Sequence, residues 1–413
     1  MNSRLTAALT VLLTAGAVTA EDWPGWRGPR ADGTVTDKGF PLTWSATDNV
    51  KWKLELPGSG HSSPVVSKGK VFVAGCVESD KSRVLYCADR ATGKLLWEKV
   101  AVVSNLERKH GENSWASSTP AADGEHVYIT FLDAPQLRVY CYDFDGNLVW
   151  QKNPGEFHSV HGFSSPPVLY KDLVIVNADQ DAPSGQKAYI VAFDKKTGEE
   201  RWRIDRPNKL RSYCPPVIVD AAGKTQMVLT GSKCVTSYDP DTGKQLWIVD
   251  GPTEQFVSSV VLHDGVILLT AGFPVYWVMA IDPSGSGNVT RTHVLWSKKN
   301  EGTYVPSPVA YQGKLFLVDD TKYKASCWDV KTGEMYWQEQ LGRVKFHASA
   351  VVAEGRVYLT SDEGVTYVLK AGSDYELLAK NPLGEKVFAS PAFSDGDIFI
   401  RGAKHLWCIG AKK

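Results

Sequence analysis

The chain has no excess charge of either sign: 46 Lys and Arg balance 46 Asp and Glu over 413 residues. Without a basic field, long-range attraction to nucleic acid or an anionic membrane surface is missing, which argues against both as partners. Helix-period stretches are essentially absent, so a helical architecture is excluded. No Cys-x-x-Cys-His is present, which excludes covalent haem, and no zinc-type spacing, Ser-His-Asp set or paired-carboxylate motif stands out. No catalytic residue and no metal ligand set is therefore assigned. Apolar runs long enough to span a membrane are missing too, since the one at the start of the chain is short and rich in Ala and Thr.

That first stretch has a different meaning. Arg4, the apolar "LTAALTVLLTAGAV" and the small residues Val18-Thr19-Ala20 have the layout of a secretory signal peptide over residues 1–20. No cysteine follows the cleavage site, so a lipid anchor is not indicated, and a periplasmic or secreted monomer starting near Glu21 is expected. Seven cysteines remain. Cys87, Cys141, Cys327 and Cys408 recur in one context ("LYCAD", "VYCYD", "ASCWD", "LWCIG"), as small core residues do. Cys76 and Cys87 are the one pair whose strands could set them opposite each other.

What is abundant is repetition. Tryptophans at 52, 97, 150, 202, 247, 296 and 337 each follow a short polar turn, 41 to 53 residues apart. Eight segments such as "SSPVV" (62–66), "SSPPVL" (164–169) and "FASPAF" (388–393) alternate with them. Between them lie period-two stretches such as "GKVFVAG" and "GRVYLTS", the mark of half-buried strands. Each unit reads as four strands: A (Ser-Pro-Val), B, C ending in Ala-x-Asp, and D ending in Trp. Eight such units predict an all-β, eight-bladed propeller of four-stranded antiparallel blades over residues 49–413. The last unit stops at "LWCIGAKK" without a D strand, while "NVKWKLEL" (49–56) precedes the first A strand. The N-terminal strand is thus expected to complete the last blade and close the ring, after an arm over residues 21–48. The unit at 346–383 has lost its tryptophan.

The recurrent "ATGKLLW" (91–97), with relatives at 196–202, 241–247 and 331–337, contains Thr-Gly-Lys but lacks the spacing and strand-to-helix context of a phosphate loop. Asp89, Asp194, Asp239 and Asp329 each stand eight residues before their Trp. They are expected to cap a C–D turn whose glycine supplies positive φ, leaving the indole to pack between blades.

This Ala-x-Asp-x-x-Thr-Gly-Lys-x-x-Trp repeat resembles that of the PQQ-like, quinoprotein-type propellers, over roughly residues 50–413. The family includes quinone-dependent dehydrogenases and the BamB-type propeller of outer-membrane protein assembly. The arm "DWPGWRGPRADGT" (22–34) is similar to the lead-in of exported PQQ-like propellers. The resemblance implies two functions. One is a non-catalytic binding or scaffold module without cofactor, its partners being envelope proteins or a small polar ligand. The other is an alcohol or sugar dehydrogenase using pyrroloquinoline quinone with calcium. The dehydrogenases commonly carry adjacent cysteines over the quinone, and none are adjacent here.

Propeller geometry narrows the search for a site, because D–A and B–C connections emerge on one face. Residues just ahead of the A strands should ring the channel mouth: His61, Trp115, His158, His161, Arg211, Tyr213, Phe256, Tyr304, Lys345, His347, Lys386 and Phe388. Asp179, Asp181, Asp319, Asp320, Asp362 and Glu363 join them from the B–C connections. An anionic or polyhydroxylated ligand is expected there, with Arg211 and Lys345 meeting charge and Trp115 or Tyr213 stacking. A divalent cation among the acids and histidines is an alternative. The long insertion at 102–116 is the candidate lid or docking loop.

Overall fold

The structure, a computed structural model, describes residues 21–206 and 208–411; the expected signal peptide lies outside the described residues. Eight antiparallel sheets, with no helix among the described residues, form an eight-bladed propeller. Blades 1 to 8 are numbered by their inner strands: Val65–Ser67, Ala121–Ala122, Val168–Tyr170, Val217–Ala221, Val261–His263, Val309–Tyr311, Val351–Ala353 and Ala392–Ser394. Blade 8 is completed by Val50–Glu55, which pairs antiparallel with the last strand, His405–Ile409. Closing the ring with the first strand removes an exposed edge that would invite pairing with other chains.

The repeat's chemistry is visible at each turn. In blade 1 the backbone N–H and the hydroxyl of Thr92 donate to the Asp89 carboxylate (2.8 and 2.7 Å), and Gly93 has φ of 71°. Asp194, Asp239 and Asp329 hold the backbone of Thr197, Thr242 and Thr332 the same way. The indole of each outer strand then donates to a carbonyl of the following blade: Trp52 to Arg90, Trp97 to Phe144, Trp150 to Lys195, Trp202 to Pro240, Trp296 to Val330 and Trp337 to Gly372. The tryptophans therefore act as clamps between blades, burying apolar area and satisfying their one donor together.

Trp247 departs from this pattern. It is fully buried and donates to Gln226 within its own blade. The insertion after Asp282 sends Gly287–Asn288 to pair in parallel with the outer strand of blade 4, making that sheet five-stranded. The inserted Val289 covers the space a turn would otherwise fill, packing into the cluster around Trp247.

Nearer the axis, the serines of the Ser-Pro-Val segments and their equivalents form a belt. The backbone N–H of Ser259 donates to the Ser307 hydroxyl, Ser307 to Ser349, Ser349 to Ser390, Ser390 to Ser63, and Ser63 to Thr119. Each link is 2.8–3.0 Å and joins one blade to the next. These buried backbone donors have no strand partner at that height, so the hydroxyls answer an otherwise costly demand.

All seven cysteines are buried and unpaired. Cys76 and Cys87, the one pair whose strands could have set them opposite, are kept apart by register: Cys76 faces Arg83 and Cys87 faces Phe72. The arm enters the channel on the face opposite the mouth. Trp23 pairs with Val66 of blade 1, Thr34 with Val352 of blade 7, and the buried Arg27 guanidinium donates to the carbonyls of Ala350 and Pro308. Farther along, Phe40 packs edge-on to Phe393 and Trp44 stacks on Tyr358. The arm is thereby part of the core of blades 7, 8 and 1.

Candidate binding site at the channel mouth

The channel opens on one face into a cavity of about 550 Å³. Its floor is an arm residue. Trp26 lines this cavity and also the recess on the opposite face, and its indole donates to the Ser259 hydroxyl at 3.0 Å. The arm thus converts a through-channel into a blind pocket, the shape in which small ligands are held.

The walls come from D–A connections. Blade 3 supplies His161, blade 4 Arg211 and Tyr213, blade 6 Tyr304, blade 7 Lys345 and His347, and blade 1 His61. These seven expected residues line the cavity together. Two others do not. The Trp115 indole turns back to donate to the Glu107 carbonyl, lies under the Lys109 ammonium, and borders a neighbouring depression instead. Of the two rings expected to stack on a ligand, Trp115 or Tyr213, Tyr213 lines the cavity and Trp115 does not. His158 pairs with Glu156 at 2.9 Å, outside the cavity. Phe256 is wholly buried in the core of blades 4 and 5.

The charges are arranged as coupled sets. The Arg211 guanidinium grips Asp181 through both carboxylate oxygens (2.8 and 2.9 Å), and its Nε donates to Nδ1 of His161 at 3.3 Å. Because arginine can only donate, Nδ1 of His161 is an acceptor and its proton sits on Nε2. Burial, followed by the positive charge of Arg211, lowers the His161 pKa and keeps the ring neutral. Tyr213 completes the set, its hydroxyl 3.0 Å from the same Nδ1, while burial pushes its pKa up to about 12.

Across the mouth, His347 Nδ1 meets Asp362 at 2.7 Å. Burial alone would lower the His347 pKa, but the Asp362 hydrogen bond and charge, with Glu112, outweigh it and raise it. Asp320 is held in the opposite direction from most carboxylates: burial, then Asp319, raises its pKa even though Thr303 and the Tyr304 N–H donate to it. His61 stacks on Phe388 (centroids 4.5 Å apart) and is pushed down to about 3 by burial and nearby cations.

Among the lining residues that escaped the sequence reading are Trp26, His110, Glu112 and Gln255. His110 and Glu112 lie inside the insertion flagged at 102–116, but nothing in the repeat reveals that they reach blades 3 and 7. Trp26 sits in the arm, outside the repeat altogether. Among the described residues, no group of three or more His, Cys, Asp or Glu side chains is placed to hold a metal ion.

Fold and repeat together define the class: an eight-bladed propeller built of PQQ-like repeats. A family model described as outer membrane protein assembly factor BamB matches residues 34–107 and 80–339, and the chain belongs to this family. Among curated relatives, tetrathionate hydrolase of Acidithiobacillus ferrooxidans is 23% identical over 80% of this chain and 63% of its own length. The assembly factor BamB of Yersinia pestis is 20% identical over 83% of this chain and 72% of its own. Among solved structures, quinohemoprotein alcohol dehydrogenase ADHIIG from Pseudomonas putida superposes with a TM-score of 0.70 at 13% identity, covering 95% of this chain and 81% of that one. At these identities the likeness shows the fold alone. The chain spans less than two thirds of the hydrolase's length. No helix among the described residues is long and apolar enough to cross a membrane.

Proposed function

We propose that the protein is an exported, non-catalytic binding module whose mouth cavity takes a small, polar, anionic ligand. The observation that carries this reading is the blind pocket itself. A closed floor at Trp26 and a wall of donors, from Arg211, His161, Lys345 and His347, converge on one cavity of about 550 Å³. Cations and neutral N–H donors fixed by second partners are the usual equipment for recognising oxyanions. One relative is named for tetrathionate, itself a dianion, which is consistent with this ligand class. Partners in the envelope are part of the proposal because other relatives are named as outer-membrane assembly factors.

The rival reading is a quinone-dependent dehydrogenase. Its cofactor needs calcium, which takes about six to eight oxygen ligands. Around this mouth Asp181 is paired to Arg211, Asp362 to His347 and Glu112 to Lys345, and no group of three or more His, Cys, Asp or Glu side chains converges among the described residues. This pairing of the acids favours the binding-module reading over a calcium-supported quinone. Titration with pyrroloquinoline quinone and calcium, followed by absorbance and by alcohol- or sugar-dependent dye reduction, tests the choice. The binding-module reading expects no turnover; stoichiometric quinone uptake with turnover would sink it.

A further inference from the structure

The loop at 104–116, between blades 1 and 2, does not stay with them. The His110 backbone N–H and the Asn113 amide both donate to the His161 carbonyl of blade 3, at 3.2 and 2.8 Å. Two residues from His110, Glu112 reaches blade 7. One carboxylate oxygen lies 2.5 Å from Lys345 Nζ and the other 3.7 Å from His347 Nε2. The loop therefore bridges opposite sides of the ring and roofs the cavity that Trp26 floors.

The two ends of this roof differ in kind. At blade 3 the loop is held by hydrogen bonds to one carbonyl. At blade 7 it is held by one hydrogen-bonded ion pair, between Glu112 and Lys345 side chains that are 42% and 49% exposed. An exposed pair of this sort is worth roughly 0–1 kcal/mol and is screened by salt, so it is easily exchanged. The acceptor side, by contrast, is prepared. His347 is oriented by Asp362 through Nδ1, which leaves Nε2 to face Glu112 and Lys345. With Nδ1–H given to Asp362, Nε2 donates when the ring is the imidazolium, the form Asp362 and Glu112 favour, and an imidazolium beside an ammonium is an oxyanion cradle in which a carboxylate is already seated.

We infer that Lys345 and His347 form an oxyanion subsite at the rim of the mouth, and that Glu112 is a tethered carboxylate occupying it until an oxyanion ligand displaces it. Displacement frees the blade-7 end of the roof and opens the cavity. The inference rests on the reading of the mouth as a ligand pocket and adds where the anionic group docks and what gates entry.

Sulfate at low ionic strength is the probe, with calorimetry for affinity and hydrogen exchange for residues 104–113. Glu112→Gln removes the competitor and is expected to tighten sulfate binding about three- to fivefold, the competition an exposed ion pair can exert. Lys345→Met in the Glu112→Gln background should abolish that gain. In the unaltered protein, sulfate should speed exchange of 104–113, and in Glu112→Gln that exchange should already be fast. Equal sulfate affinity with and without Glu112, or loop exchange indifferent to sulfate, overturns the inference. If sulfate binding is insensitive to Lys345→Met but lost on Arg211→Ala, the pocket stands and the Glu112 subsite falls. If neither protein binds sulfate, the Glu112 subsite falls.

Discussion

Gly93 lies against the indole of Trp52 so closely that a Cβ built on it would stand 2.5 Å from the ring. The two residues belong to blades 1 and 8, the pair brought together when the chain's first strand closes the ring. The same contact joins Gly146 to Trp97, Gly198 to Trp150 and Gly333 to Trp296. Glycine is thus required twice over, for its positive φ and for the room it leaves.

The two requirements can be separated. Gly69 also has positive φ (78°), but an added Cβ there meets nothing within 4 Å. Gly69→Ala should cost about 1 kcal/mol, from backbone strain alone. Gly93→Ala should cost about 2–4 kcal/mol, because overpacking against Trp52 adds to that strain. Urea unfolding of the two variants side by side checks the difference.

A second prediction concerns Arg206 and Asp179, an ion pair with both side chains fully buried and 2.8 Å apart. Thr236 and Tyr238 accept further hydrogen bonds from the same guanidinium. Asp179→Ala strands that cation in the interior and should cost about 3–5 kcal/mol. Replacing both residues with apolar side chains should cost much less than that single change. A double-mutant cycle measured by denaturation gives the comparison.

A third follows from His61, whose pKa is lowered to about 3 from an ordinary 6.5 by burial and by the charges of His347, Lys109 and Arg401. The folded state prefers the neutral ring, so its contribution is fully present above pH 6.5. It is lost as pH falls from there toward 3, at no more than about 1.4 kcal/mol per unit. His61→Phe, which keeps a flat ring against Phe388, should flatten the acid limb of the stability curve over that window. An unchanged slope would show that the ring is already protonated in the folded state.

Much of the architecture was legible because it is written locally. Asp89, Thr92, Gly93 and Trp97 form one turn and one strand, and their spacing alone announces both. The N-terminal closure could be read from a strand missing at one end and surplus at the other. Trp247 was misread as one more blade clamp because its partner, Gln226, lies in its own blade but outside the Asp-x-x-Thr-Gly-x-x-x-Trp motif. The rim of the site was also legible, since D–A loops must emerge together. What escaped depends on contacts across the ring. Nothing local in "HGENSW" shows that Glu112 meets Lys345, 233 residues away, or that Trp26 rises through the channel to meet Ser259. Trp115 misled for a related reason, because its own loop offered it a partner in Glu107.

The central claim is that the mouth cavity binds an oxyanion through Arg211 and His161. It is tested by calorimetric titration of sulfate, tetrathionate and small mono- and dicarboxylates into the protein and into the His161→Ala, Arg211→Ala double variant. The account predicts one-to-one binding of at least one of these anions, weakened about 30-fold or more in the double variant with thermal stability nearly unchanged. Binding that survives the double substitution, or no binding of any of these anions, would contradict it.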